Sequence, residues 1–165
     1  MNKSSIISAA EALKGAPLPH FLVGGCEISA DNRHLTATVV FPSSDPTIGS
    51  RVKPVAHVNQ AHHLFAAWNG AHILKGYHGV DSLLALRSTL EEEQSEIRTP
   101  HVTVPDVPCR MEAEITHIGS RQTREFEGQM RETVTGTYRA SFFQERDGVE
   151  QVVAEIKTPW IGFYS

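Results

Sequence analysis

Between His57 and Asn69 the chain carries three histidines and two asparagines among residues that are otherwise mostly apolar. An unperturbed imidazole titrates near neutral pH, so His57 or His62 can serve as acid or base. Asn59 can orient a water or a carbonyl group. On a helix successive residues turn by about 100°, which places Asn59, His62 and Asn69 within roughly an 80° arc that also holds Ala66. Val58, Phe65 and Trp68 point away from that arc. Polar groups buried without partners cost about 1–3 kcal/mol each, so such a stripe calls for a substrate or a second subunit to satisfy it. The first N–H groups of a helix lack internal acceptors and carry partial positive charge. They would polarise a carbonyl placed against them and stabilise its oxyanion.

Plainer roles stand beside these. His57 can cap the helix or bond to a loop, and Asn59 can satisfy backbone in the first turn. His62 can be a structural histidine, and Asn69 can serve helix packing. His62 and His63 are neighbours, so at most one enters the stripe and the other belongs to a surface or an interface. The histidines do not form a metal-ligand set: no HExxH pattern is present, and His101 and His117 fall on later strands. No metal and no cofactor is expected. The absence of GxSxG, Walker and GxGxxG patterns removes serine-hydrolase, nucleotide and nicotinamide readings. Cys26 and Cys109 lie within strand patterns, where a buried inert thiol is expected.

The elements that would position these residues follow an α+β order. Ser4 to Leu13 reads as a short helix stopped by Gly15-Ala16-Pro17. Phe21 to Ala30 and His34 to Phe41 read as strands joined by a turn at Asp31-Asn32. A loop rich in Pro, Ser and Gly, from Pro42 to Pro54, leads into one long helix from about Val58 to Tyr77, locally weakened by Gly70 and Gly76. A further helical turn or two is expected over Val80 to Ala85. The remainder reads as strand: Leu90 to Arg98, then Cys109 to Ile118 with clean alternation, then Glu132 to Gln144 and Val149 to Lys157 around a turn at Asp147-Gly148. An antiparallel sheet with one apolar face must cover it, and the long helix is the element apolar enough to do so. An exposed edge strand is a liability that pairing in a homodimer, or an assembly of dimers, would remove.

The bulk numbers agree with one domain spanning 1–165. Of the 165 residues 40% are hydrophobic and 21% charged, a globular balance. A formal net charge of -4 argues against nucleic acid as the main partner. Val58 to Leu74 contains three histidines and two asparagines, which argues against a membrane span. Two distant cysteines without a CxxC pair argue against a disulfide scaffold, and no secretory signal pattern is visible. A reducing cytoplasm is the expected compartment. Glu91-Glu92-Glu93 reads as a solvated face. Arg121, Arg124, Arg131 and Arg139 read the same way, although one or two could face phosphates.

The stretch Pro54-Val55-Ala56-His57-Val58-Asn59-Gln60-Ala61 resembles the segment that opens the central helix of hotdog-fold thioesterases. Downstream, Glu96 to Pro100, then Pro105-Asp106-Val107 and Cys109 to Ile115, resembles the strand, proline turn and strand of the same fold. Within that superfamily the chain is similar to the FcoT-like fatty acyl thioesterase group in length and in its His-X-Asn helix opening. The resemblance implies a twisted antiparallel sheet around one central helix, and an acyl thioester of CoA or acyl carrier protein as substrate, on a fatty or polyketide-type chain. It assigns Asn59 to the family's first helix asparagine, while Asn69 lies one residue out of register with the second. The family's site tyrosines have no counterpart here, and Arg51 stands at the loop position before the helix. Candidate catalytic residues are thus Asn59, His57 and His62, and candidate substrate contacts are Arg51, Val58, Ala66 and Asn69. Hydrolysis leads. Dehydration, hydration or conjugate addition on a 2-enoyl or 3-hydroxyacyl thioester is the alternative, and a non-catalytic acyl-binding hotdog subunit is the alternative of another class.

Overall fold

The computed structural model describes residues 4–16, 19–47, 57–85 and 95–164. Arg51, the Pro54-Val55-Ala56 part of the helix-opening motif, and the Leu90 to Gln94 stretch with its three glutamates lie outside them.

Alternation of apolar and polar residues sets the centre of the sheet. Strand β3 (His34–Val39) buries Leu35, Ala37 and Val39, and β6 (Cys109–Ile118) buries Cys109, Met111, Ala113 and Ile115. Register brings these together: Leu35 faces Ala113, Ala37 faces Met111, and Val39 faces Cys109. On the far side of β6 runs the long β8 (Gln129–Arg146), which turns at Asp147-Gly148 into β9 (Val149–Tyr164). Both turn residues have positive φ, 51° and 75°, the left-handed pair that a two-residue hairpin matched to strand twist requires. With β1 (Ser5–Ser8), β2 (Leu22–Ile28) and β4 (Val80–Ala85), the antiparallel order is β1-β2-β3-β6-β8-β9-β4. Two short strands join from the side, β5 (Glu96–Arg98) on β9 and β7 (Gln122–Phe126) on β8.

The one-turn helix α1 (Ala9–Ala12) lies beside β2, and the long helix α2 (Gln60–Tyr77) packs across β3, β4, β6 and β9. Its crossing point is Gly70. A Cβ there would sit 2.8 Å from the Tyr138 hydroxyl and 2.9 Å from the Met111 methyl, so with these side chains in place glycine is what lets the helix lie this close to the sheet. Tyr138 then donates to the Ala67 carbonyl at 2.7 Å, and burial pushes its own ionisation up. Among the described residues, no helix is long and apolar enough to cross a membrane.

Several sequence expectations need correction. The Ser4 to Leu13 segment opens as strand β1, with Ile6 and Ile7 paired to Glu27 and Cys26, and only Ala9–Ala12 is helical. Two β-branched residues beside an open sheet edge favour the extended form. Val80–Ala85 is a strand rather than helical turns. Gly79, at φ 65°, ends the preceding turn, and pairing with Trp160 to Tyr164 supplies the backbone partners. In the 90–98 stretch the described strand is Glu96–Arg98. Strand β7 has no counterpart among the sequence expectations, and β8 and β9 run beyond their expected ends.

Candidate active site

Helix α2 starts at Gln60, two residues later than the periodicity suggests, because Asn59 is its N-cap. Asn59 has an extended backbone (φ -78°, ψ 160°), and its Oδ1 accepts from the His62 N–H. Its Nδ2 donates to the Thr47 carbonyl at 2.7 Å. These two backbone groups define the amide's orientation, since a carbonyl only accepts and an N–H only donates. Asn59 Oδ1 therefore faces His62 Nδ1, 2.7 Å away, and a neutral His62 keeps its proton on Nδ1 with a lone pair on Nε2. That Nε2 lies 3.2 Å from Thr47 Oγ1, and Thr47 Oγ1 lies 2.6 Å from Asp45 Oδ1. His62 is only 6% exposed, edge-on to Phe21 and Phe65. Burial among these rings lowers its pKa, and the Asp45 carboxylate opposes that shift.

His63 anchors the other flank of the cap. It is 1% exposed, between the rings of Phe41 and Phe142. Its Nδ1 donates to the Asn59 carbonyl at 3.2 Å, which leaves Nε2 to accept from the Thr103 hydroxyl at 2.7 Å. Burial pushes its pKa down to about 4, so the ring is neutral at ordinary pH. The Thr103 carbonyl accepts the Val58 N–H at 3.0 Å, tying the segment before the helix to the 99–108 loop. Gln144 on β8, 1% exposed, holds that loop in turn. It accepts from the Val104 N–H and donates to the Val104 and Val107 carbonyls. Between the loop and the helix start lies a cleft of about 450 Å³, lined by His57, Asn59, Gln60, His63, Thr99 and His101, among others.

The structure thus brings His57, Asn59 and His62 to one helix start, with Val58 buried beneath it. Ala66 lies in the apolar core. Asn69 is 1% exposed, and its amide is occupied by backbone: Oδ1 accepts from Phe21 N–H and Nδ2 donates to the Pro19 carbonyl, both at 3.0 Å. It ties the entry to β2 onto the helix. Of the adjacent histidines only His62 meets the Asn59 side chain, and His63, expected at a surface or an interface, is instead buried within the chain between two phenylalanine rings. Sequence reasoning missed Asp45, Thr47, Thr103 and Gln144. A signal for the first two was present: Asp45-Pro46-Thr47 is an Asx-turn sequence, and Asp45 Oδ1 accepts from the Thr47 N–H at 2.9 Å.

A larger hollow, about 520 Å³, lies over β3, β6, β8 and β9 and is lined by His34, Glu114, Arg139 and Glu155, among others. Arg139 pairs there with Glu155, and His34 Nε2 lies 3.8 Å from the Glu114 carboxylate. The helix start, where polar groups converge on an imidazole, is the better candidate. Among the described residues no three His, Cys, Asp or Glu gather as a metal-ligand group.

A comparison with protein-family models finds no match, and none is found among curated proteins. Solved structures do match. A thioesterase family protein from Silicibacter pomeroyi superposes with a TM-score of 0.58 at 8% identity, covering 95% of this chain and 96% of that one. The E. coli PaaI protein of the phenylacetic acid degradation operon gives 0.57 at 12% identity, covering 92% and 88%. A hypothetical thioesterase from Streptococcus pneumoniae TIGR4, crystallised with coenzyme A, gives 0.55 at 14% identity, covering 81% and 83%. The chain has the hotdog fold: an α+β architecture in which a twisted antiparallel sheet packs around one long helix. Proteins of the thioesterase superfamily share that fold, and this chain is similar to them in structure.

Proposed function

We propose that this protein is an acyl-thioester hydrolase whose site is the N-terminus of α2. The observation that carries the reading is the Asn59–His62 pair, 2.7 Å apart, at the start of the central helix of a hotdog fold. The substrate is a thioester of CoA or acyl carrier protein on a fatty or polyketide-type acyl chain. Coenzyme A bound to one structural neighbour supports the CoA form. The FcoT-like resemblance, carried by His57-Val58-Asn59, supports the fatty acyl form.

The carbonyl lies in the cleft against the helix start, where Gln60 and Ala61 are exposed and the helix dipole stabilises an oxyanion. His62 is the base, its tautomer set by Asn59, and His57 on the cleft wall helps hold the substrate. Water adds to the carbonyl and gives its proton to the base. The C–S bond then breaks, and the thiol leaves with a proton returned by the imidazolium. A homodimer in a reducing cytoplasm fits the reading: the partner closes the cleft, and both cysteines are buried and unpaired.

Turnover of saturated and 2-enoyl acyl-CoA, followed by free thiol and by acyl mass, tests the reaction. Thiol release from the saturated chain is expected. A mass gain on an intact enoyl thioester, without thiol release, would replace hydrolysis with addition. Asn59→Ala should lower turnover by about 100-fold while the protein stays folded, since positioned acid–base groups contribute factors of this order. Unchanged turnover would remove Asn59 from the mechanism.

A further inference from the structure

His62 is the best-oriented base at the site, yet it is nearly closed to solvent and does not line the cleft. A buried base needs a route to the water it activates. Thr47 stands behind the cleft wall rather than in its lining: its carbonyl accepts from Nδ2 of Asn59, a wall residue, at 2.7 Å. It is exposed, and its hydroxyl is within reach of His62 Nε2 on one side and Asp45 on the other, at 3.2 and 2.6 Å. One hydroxyl proton cannot serve both at once. With Asp45 ionised and His62 neutral, Nε2 and Asp45 compete for it. Once His62 is protonated the conflict disappears. Nδ1–H then donates to Asn59, Nε2–H donates to Thr47 Oγ1, and the Thr47 hydroxyl donates to Asp45. Every donor has an acceptor, so the cluster is complementary to the imidazolium, the state a base reaches after taking a proton.

We propose that Thr47 is the proton conduit between the attacking water and His62, and that Asp45 is the positioning residue that holds the Thr47 hydroxyl and stabilises protonated His62. The step balances. As water adds to the carbonyl its proton passes to Thr47 Oγ1, while the original Thr47 proton passes to His62 Nε2. Thr47 ends as a neutral hydroxyl donating to the Asp45 carboxylate, which is unchanged, and His62 ends as the cation. Collapse of the intermediate returns one proton to the departing thiolate.

Burial lowers the His62 pKa, and Asp45 offsets part of that shift without reversing it. Among the described residues Asp45 is the charged group acting on His62. Phe21 and Phe65 are uncharged, and the adjacent His63 is neutral. The Thr47 hydroxyl and N–H hold the Asp45 carboxyl below its usual range, which keeps it anionic.

The inference rests on His62 being the base of the hydrolysis proposed above, and its test has two independent readouts. The first is acyl-CoA hydrolysis by Thr47→Val, Thr47→Ser and Asp45→Asn. Thr47→Val should lose about 100-fold in kcat with KM little changed, and Thr47→Ser should recover most of it. Asp45→Asn should move the acid limb of kcat/KM to lower pH, because an imidazole without its anion releases its proton earlier. The second is the His62 titration, followed by NMR of the ring Cε1–H without substrate; its midpoint should fall in Asp45→Asn. Wild-type turnover that survives Thr47→Val overturns the conduit. An unmoved His62 midpoint in Asp45→Asn overturns the role of Asp45. If the wild-type protein hydrolyses no thioester but the midpoint still falls, the hydrolase reading and the Thr47 conduit fail together, and the Asp45–His62 coupling stands.

Discussion

At the scale of single residues, two adjacent histidines do different work because their neighbours differ. His62 meets an amide, a hydroxyl and, through it, a carboxylate. His63 meets a carbonyl and a hydroxyl between two phenylalanine rings, an environment that admits only the neutral ring. That has a consequence for stability. The His63 pKa falls from 6.5 to about 4 on folding, so between these values the unfolded chain binds the proton and the native one does not. Its contribution is complete above about pH 6.5, declines as pH falls, and is exhausted below about pH 4. The whole effect is about 3 kcal/mol, since each pH unit between the two values is worth roughly 1.4 kcal/mol. His62 and His72 are shifted in the same direction, so a substitution removes only the His63 share. Urea midpoints measured from pH 7 to pH 4 should fall steeply for the native chain and less steeply for His63→Gln. Equal slopes would mean that His63 is not held neutral.

At the scale of elements, the site depends on where α2 begins and on how closely it approaches the sheet. The start is held from three sides: Asn59 to Thr47, Val58 to Thr103, and His63 to Thr103. Thr103 is itself located through Val104, which Gln144 grips from β8. The approach is held at Gly70. Replacing a helical glycine by alanine ordinarily stabilises by about 1 kcal/mol. Here the new methyl would meet the Tyr138 hydroxyl and the Met111 methyl below 3.0 Å, so both side-chain ends would have to move, and Tyr138 would strain its bond to the Ala67 carbonyl. Gly70→Ala should therefore destabilise by about 1–3 kcal/mol in equilibrium urea unfolding, the usual cost of overpacking. A neutral or stabilising result would show that the helix can shift there without loss.

At the scale of the whole molecule, the sheet formed by the described residues ends at β1 on one side, with Ile6 78% exposed, and at β4 on the other. An edge strand such as β1 and a cleft walled by a loop and a helix start suit a second copy of the chain. Sedimentation equilibrium should give twice the chain mass at micromolar concentration. A monomer would leave the cleft to be closed within one chain, and the homodimer proposal would be abandoned.

What could be read in the chain alone was local. The strand Cys109–Ile118 was legible to the residue, because one face of it is buried and the side-chain period is two. The turn at Asp147-Gly148 was legible because its residue types tolerate left-handed backbone. The helix near His57-Val58-Asn59 was legible within two residues of its start. What depended on distant partners was not. Val80–Ala85 becomes a strand because Trp160 to Tyr164 lie beside it, and Ser5–Ser8 because β2 offers an edge. Asn69 falls on the same helical stripe as Asn59, yet the chain entering β2 occupies both ends of its amide. Asp45 and Thr47 meet His62 only because the loop folds back onto the helix start, with Thr47 giving its carbonyl to Asn59. Periodicity and turn chemistry act over a few residues and are written in the sequence. The choice of partner for a polar group belongs to the packing, and only the tertiary structure could decide it.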